Sequence, residues 1–173
     1  MRPENKKLAI ALIIVVLLCA AAFTWRTEKD KPTAHGMGVM IDKVEGNKAM
    51  GTGFYLFSNG YTENGHGFSA EGKPVVVNFS DSTKFTRVIR VIPESAATRK
   101  PDGGIAYDYN TAELQPQIET VNAETFRKNL AQFPASMELK TAENVYGMTE
   151  VTATEITYEM DAMVPERYSQ LQK

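Results

Sequence analysis

With 173 residues, 43% hydrophobic and 23% charged, the chain has the composition of a folded protein and not of a disordered one. A formal net charge of -2 argues against a polyanion-binding face, so no nucleic-acid partner is expected. The single cysteine, Cys19, lies in an apolar run, which leaves the rest of the chain without a disulfide, a thiolate metal site or a thiol nucleophile.

From Leu8 to Trp25 the chain reads LAIALIIVVLLCAAAFTW, preceded by Arg2, Lys6 and Lys7 and free of charge until Arg26. As a helix this run rises ~27 Å at ~1.5 Å per residue, just short of a hydrocarbon core of ~30 Å. A basic stretch ahead of an apolar run is the export pattern, so the N-terminus is expected inside and the remainder across the membrane. Trp25 suits the outer interface. Cleavage near Ala22 is the alternative, because Ala20, Ala21 and Ala22 offer the small residues of a processing site, and would release a secreted protein. Lipid modification of Cys19 is disfavoured by Leu18, where such sites carry a small residue.

The expected organisation is a basic cytoplasmic N-terminus over 1–7, a transmembrane signal-anchor over 8–25, a polar tether over 26–35, an extracytoplasmic β-domain over 36–160 and a C-terminal tail over 161–173. Within the domain, GVMIDKV (38–44) and GFYLF (53–57) flank Glu45, Gly46 and Asn47 and read as a hairpin. Asn59-Gly60 and Asn64-Gly65 are turn dipeptides that make 58–72 an irregular excursion. PVVVNF (74–79) and FTRVIRVI (85–92) read as strands joined by a turn at Asp81, Ser82 and Thr83. Val88 and Ile92 are expected on one face of the second and Ile89 and Val91 on the other. Residues 93–117 hold Pro93, Pro101, Asp102-Gly103, Gly104 and Pro116 and read as a long connection with a brief strand over 105–109. Asn122 is a good N-cap for a helix that carries Phe126 and Leu130 at i, i+4 and ends before Pro134. MELKT (137–141) alternates. TEVTATEITYEM (149–160) reads as one long strand with Ile156, Tyr158 and Met160 on a common face. The expected fold is mainly β, a small OB-like β-barrel with one short helix, with a β-sandwich as the alternative.

Catalysis is not expected. His35 falls in the tether and His66 in Gly65-His66-Gly67, with no nucleophile or acid beside it in sequence. Acidic residues are scattered, and Glu143, Glu150, Glu155 and Glu159 read as solvated strand and turn positions, so no metal site is expected. There is no phosphate-binding glycine loop between a strand and a helix. GTGF (51–54) and GHGF (65–68) read as hairpin glycines, and Asn78-Phe79-Ser80 matches a glycosylation sequon. Met137, Met148, Met160 and Met163 read as core filling, with a soft binding surface or a thioether ligand as the other use of such residues.

Two resemblances arise from these residues. A basic N-terminus, one apolar span, a small β domain and the stretch TATEITYEMDAMVPE (152–166) together resemble the membrane-anchored haem chaperones of cytochrome c maturation. That likeness implies an OB fold and a haem ligand. Met160 stands where that family has its haem-linking histidine and Val164 where it has a tyrosine, so the implied site is a degenerate one at Tyr158 and Met160. The run VVVNFSDSTKFTR (75–87) resembles small extracytoplasmic OB-like domains of unknown function and implies the fold alone. The expected role is a membrane-anchored, non-enzymatic binding or assembly domain outside the cytoplasm, without a cofactor and with a cell-envelope protein as partner. A haem or other cofactor chaperone is the alternative.

Overall fold

The computed structural model describes residues 32–58, 67–133 and 135–172. The segment from Leu8 to Trp25, His66 and the Asn-Gly pairs at 59–60 and 64–65 lie outside the described residues. The chain divides into the units Met1–Pro32 and Thr33–Lys173, and the described elements belong to the second. No helix among the described residues is long and apolar enough to cross a membrane.

The unit is mainly β. The hairpin is present as β1 (Ala34–Glu45) and β2 (Lys48–Phe57), turning at Gly46 with φ 59°. β1 begins four residues before the strand read from Gly38 and two before the expected start of the domain at 36, which places His35 in a strand and not in a tether. β3 (Lys73–Asn78) and β4 (Lys84–Arg90) follow, then a small separate hairpin of β5 (Ala97–Arg99) and β6 (Ile105–Tyr107). β7 (Pro116–Val121), a strand the sequence reading did not expect, begins at the end of the long connection and runs up to the helix cap. Its proline obscures it, yet a proline is compatible with the first residue of an edge strand, which β7 is. Helix α1 (Ala123–Gln132) is capped by Asn122, whose side chain accepts from the Thr125 amide at 2.8 Å. β8 (Ala135–Lys140), β9 (Glu150–Thr152), β10 (Glu155–Met160) and helix α2 (Pro165–Leu171) complete the chain.

Eight strands form one sheet in the order β7-β4-β10-β8-β1-β2-β3-β9, with β3/β9 and β4/β10 parallel and the other pairs antiparallel. The stretch 149–160 is therefore two strands. It breaks at Ala153 and Thr154, where the chain leaves β3 for β4: the Ala153 amide donates to the Asn78 carbonyl and the Lys84 amide to the Thr154 carbonyl. This break curls the sheet. A flat sheet would separate β9 from β10 by five strand spacings, roughly 24 Å, whereas the two connecting residues span at most about 11 Å. The curl does not close: among the described residues no ladder joins β7 to β9, so the expected closed barrel is not found.

The concave side holds the core. Phe126 of α1 fills its centre, with ring centroids 4.7 Å from Phe85 and 5.1 Å from both Phe79 and Tyr158. Met137, Met160 and Met163 are buried as expected, but Met148 is 40% exposed. Ile156, Tyr158 and Met160 share the buried face of β10. In β4 Ile89 points inward and Val88 outward, as expected, and Val91 packs partly buried against the core on the Ile89 side. Ile92, expected with Val88, is instead buried beyond the strand, where its amide donates to the Met163 carbonyl. The C-terminal residues are helical over α2, where Tyr168 and Leu171 pack on the core and Arg167 lies 5.4 Å above the Phe133 ring.

Candidate functional site

Two arrangements stand out, one on each side of the sheet. On the concave side, strand alternation places Arg87 in phase with Phe85 and Ile89, so a guanidinium enters the core at 5% exposure. It is held by polar partners. Its NH1 donates to Asn129 Oδ1 of α1 at 3.0 Å and its NH2 to Glu119 of β7, while the Tyr158 hydroxyl donates to the same Asn129 oxygen at 2.7 Å. Asn129 is 2% exposed, so this network ties α1 to β4, β7 and β10 inside the core. Arg87 Nε is the one buried side-chain nitrogen or oxygen without a partner among the described residues.

Tyr158 and Met160, the residues singled out for a cofactor, are neighbours on one face but sit differently. Tyr158 is wholly buried with its hydroxyl committed to Asn129, while Met160, only 2% exposed, lies in the wall of a surface hollow. Burial pushes the Tyr158 phenol well above its ordinary value near 10, with Arg87 opposing and Glu119 adding to the shift. A raised folded-state value stabilises the fold fully below about pH 10 and is lost as pH rises through the folded value, since the unfolded chain ionises first. An alkaline absorbance titration should show the Tyr158 phenolate appearing only with unfolding, and Tyr158→Phe should remove that late step. A Tyr158 that ionises in the folded protein near pH 10 would contradict the buried geometry.

On the convex side, the pairing brings two rows of outward residues together. One runs Phe54, Gly38, Glu138, Thr157, Thr86 and Thr120 across β2, β1, β8, β10, β4 and β7, and the next runs Thr52, Met40, Ser136, Glu159, Val88 and Ile118. The second row is unusually apolar for a solvent face, with Met40 62% and Ile118 68% exposed. In the first row Gly38 has no side chain, and a depression of about 350 Å³ opens over it, walled by Phe54, Met40, Val88 and Glu138. It adjoins a hollow of about 700 Å³ lined by Arg90, Tyr109, Thr111, Met160, Asp161 and Arg167, and the two share Met40, Ser136 and Glu159. The long connection after Pro93 thus contributes Tyr109 and Thr111 to a concave surface.

The charges around this groove are unevenly matched. Arg90 pairs with Glu159, and Lys140 donates to Glu155 at 2.9 Å. The Lys140 hydrogen bond lowers the Glu155 carboxyl below its ordinary range, and Glu155 in turn raises Lys140. Glu138 makes no ion pair among the described residues. Glu150, also expected to be solvated, accepts from Lys48 and Asn78, the sequon asparagine. His35 is exposed in β1, and no group of three or more His, Cys, Asp or Glu residues that could hold a metal occurs among the described residues.

Compared with protein-family models, curated proteins and solved structures, the chain matches none.

Proposed function

We propose that this protein is a membrane-anchored, extracytoplasmic binding or assembly domain that acts without catalysis, using the convex face of its sheet to hold a cell-envelope protein. The observation that carries the reading is the adjoining pair of hollows beside a row that holds exposed Met40 and Ile118 and half-buried Val88. A sheet face turned to water ordinarily alternates away from large apolar side chains, whereas this row offers a thioether and two aliphatic groups next to concave surface. The uncharged run from Leu8 to Trp25 supports the anchor and the address.

Photo-crosslinking in cells tests this reading. A photoreactive residue at Met40 or Ile118 is expected to yield one discrete protein adduct, and the same group at Asp81, in the exposed turn between β3 and β4 away from both hollows, none. Absence of any adduct from Met40 and Ile118 in a folded, membrane-associated protein would overturn it.

A haem or other cofactor carrier is the second reading, favoured by Met160 in the wall of the larger hollow. That wall offers two thioethers, Met40 and Met160, and no histidine, and Tyr158 is withdrawn into the core. A shifted Soret band on adding haemin, removed by Met160→Ala, would support it. The proposed binding domain gives no shift.

A further inference from the structure

The depression over Gly38 has a more specific chemistry than the apolar row beside it, and we infer that it receives a lysine or arginine side chain from the partner protein. The inference rests on the convex face being the working surface. Phe54 supplies an aromatic wall, Met40 and Val88 supply apolar surface for an alkyl stem, and Glu138 supplies a carboxylate at the same opening. Such a set of neighbours suits a long side chain that ends in a cation.

Charge decides the sign of the guest. Arg90 is engaged with Glu159 and Lys140 with Glu155, and Arg167, in the adjoining hollow and not in this depression, lies over the Phe133 ring, while Glu138 at the depression itself has no ion-pair partner among the described residues. An acidic guest would meet Glu138 at like charge, and a purely apolar one would cover a carboxylate without pairing it. The longer-range field acts the same way. Six of the 19 basic residues but only three of the 21 acidic ones precede Pro32, so the chain from there on carries 13 basic against 18 acidic residues.

Gly38 makes the depression and also makes it testable. A Cβ at Gly38 meets nothing within 4 Å, and its backbone is not in the left-handed region, so a larger residue fits the strand while filling the opening. Valine is moreover favoured over glycine in strands. Gly38→Val should therefore keep or raise the melting temperature while blocking the guest, and Glu138→Gln should remove the carboxylate without changing shape.

The test measures fluorescence anisotropy of the full-length protein with the labelled peptide acetyl-Leu-Lys-Leu-Arg-Leu-amide and its counterpart with glutamine in place of lysine and arginine. The basic peptide is expected to bind with a Kd of about 100 μM at low salt and to weaken as salt rises. The glutamine peptide should bind about tenfold more weakly. Gly38→Val and Glu138→Gln should each cost about fivefold or more with the melting temperature held. No binding of the basic peptide up to about 1 mM, or binding that neither variant weakens, overturns the inference. If the peptide fails while crosslinks from Met40 persist, only the basic subsite falls; if both fail, the convex face is not the working surface.

Discussion

Asn129→Leu is expected to lower the melting temperature by roughly 10 °C, the largest loss from any near-isosteric change in the core. Leucine fits the space and is the more hydrophobic residue, so an account based on apolar burial alone gives a neutral or stabilising change. The hydrogen bonds give the opposite sign. Asn129 Oδ1 accepts from both Arg87 and Tyr158, and its removal leaves a buried guanidinium held only by Glu119 and a hydroxyl with no acceptor. Arg87 Nε is already unpartnered, so nothing nearby can take up the lost acceptor. Stranding a buried charge donor and a hydroxyl costs about 3–4 kcal/mol, and a domain of this size loses ~2–4 °C per kcal/mol. Tyr158→Phe, which deletes one donor and leaves Asn129 paired to Arg87, should cost only about 1 kcal/mol. A thermal melt of both variants checks the contrast; equal stability of Asn129→Leu and the wild-type protein would show that the network contributes nothing to the fold.

Gly51→Ala is expected to cost more than about 3 kcal/mol and to disturb the β1–β2 register, an effect beyond ordinary strand propensity. A Cβ at Gly51 would stand 2.0 Å from the Met40 carbonyl oxygen and 2.9 Å from its carbonyl carbon. Both are backbone atoms of the neighbouring strand, so no rotamer change relieves the clash. The register of β1 and β2 shifts between Ile41 and Lys43, directly beside Gly51, and the close approach belongs to that irregularity. Urea unfolding, with backbone amide spectra of β1 and β2, measures the effect. Gly38→Ala, in the same hairpin but facing open space, is the control and should stay within about 0.5 kcal/mol of wild type. Stability of Gly51→Ala equal to that control would mean that the two strands do not approach as described.

Several elements are legible in the amino-acid sequence. The hairpin at Glu45, Gly46 and Asn47 shows itself by turn residues between alternating runs, and α1 by an Asn122 cap ahead of Phe126 and Leu130 at helical spacing. Arg87 was legible in principle, since it shares the phase of Phe85 and Ile89, and Asn129 lies one turn of helix beyond Phe126. Neither stands out in the sequence, because a single polar residue on an apolar stripe reveals its partners only when the other stripes are known. β7 was hidden by Pro116, and the break at Ala153 and Thr154 by continuous β-branched alternation, which local pattern reads as one strand.

The groove was less legible still. Phe54, Gly38 and Glu138 come from three strands, and Met40, Glu159 and Val88 from three as well; sequence places each on a strand but gives no register between strands distant along the chain. Nothing about Glu138 distinguishes it from the other scattered acids until Lys140 and Arg90 are seen to be paired elsewhere.

What the sequence determined alone was local: a mainly β chain, its turns, its capped helix and the buried face of Ile156, Tyr158 and Met160, because side-chain period and turn chemistry act over a few residues. The tertiary structure alone decided that the sheet curls without closing, that Arg87, Asn129 and Tyr158 meet inside it, and that a glycine becomes the floor of a groove. Those outcomes depend on which distant strands pair and in what register, a choice made by the summed packing of the whole core and carried by no single segment.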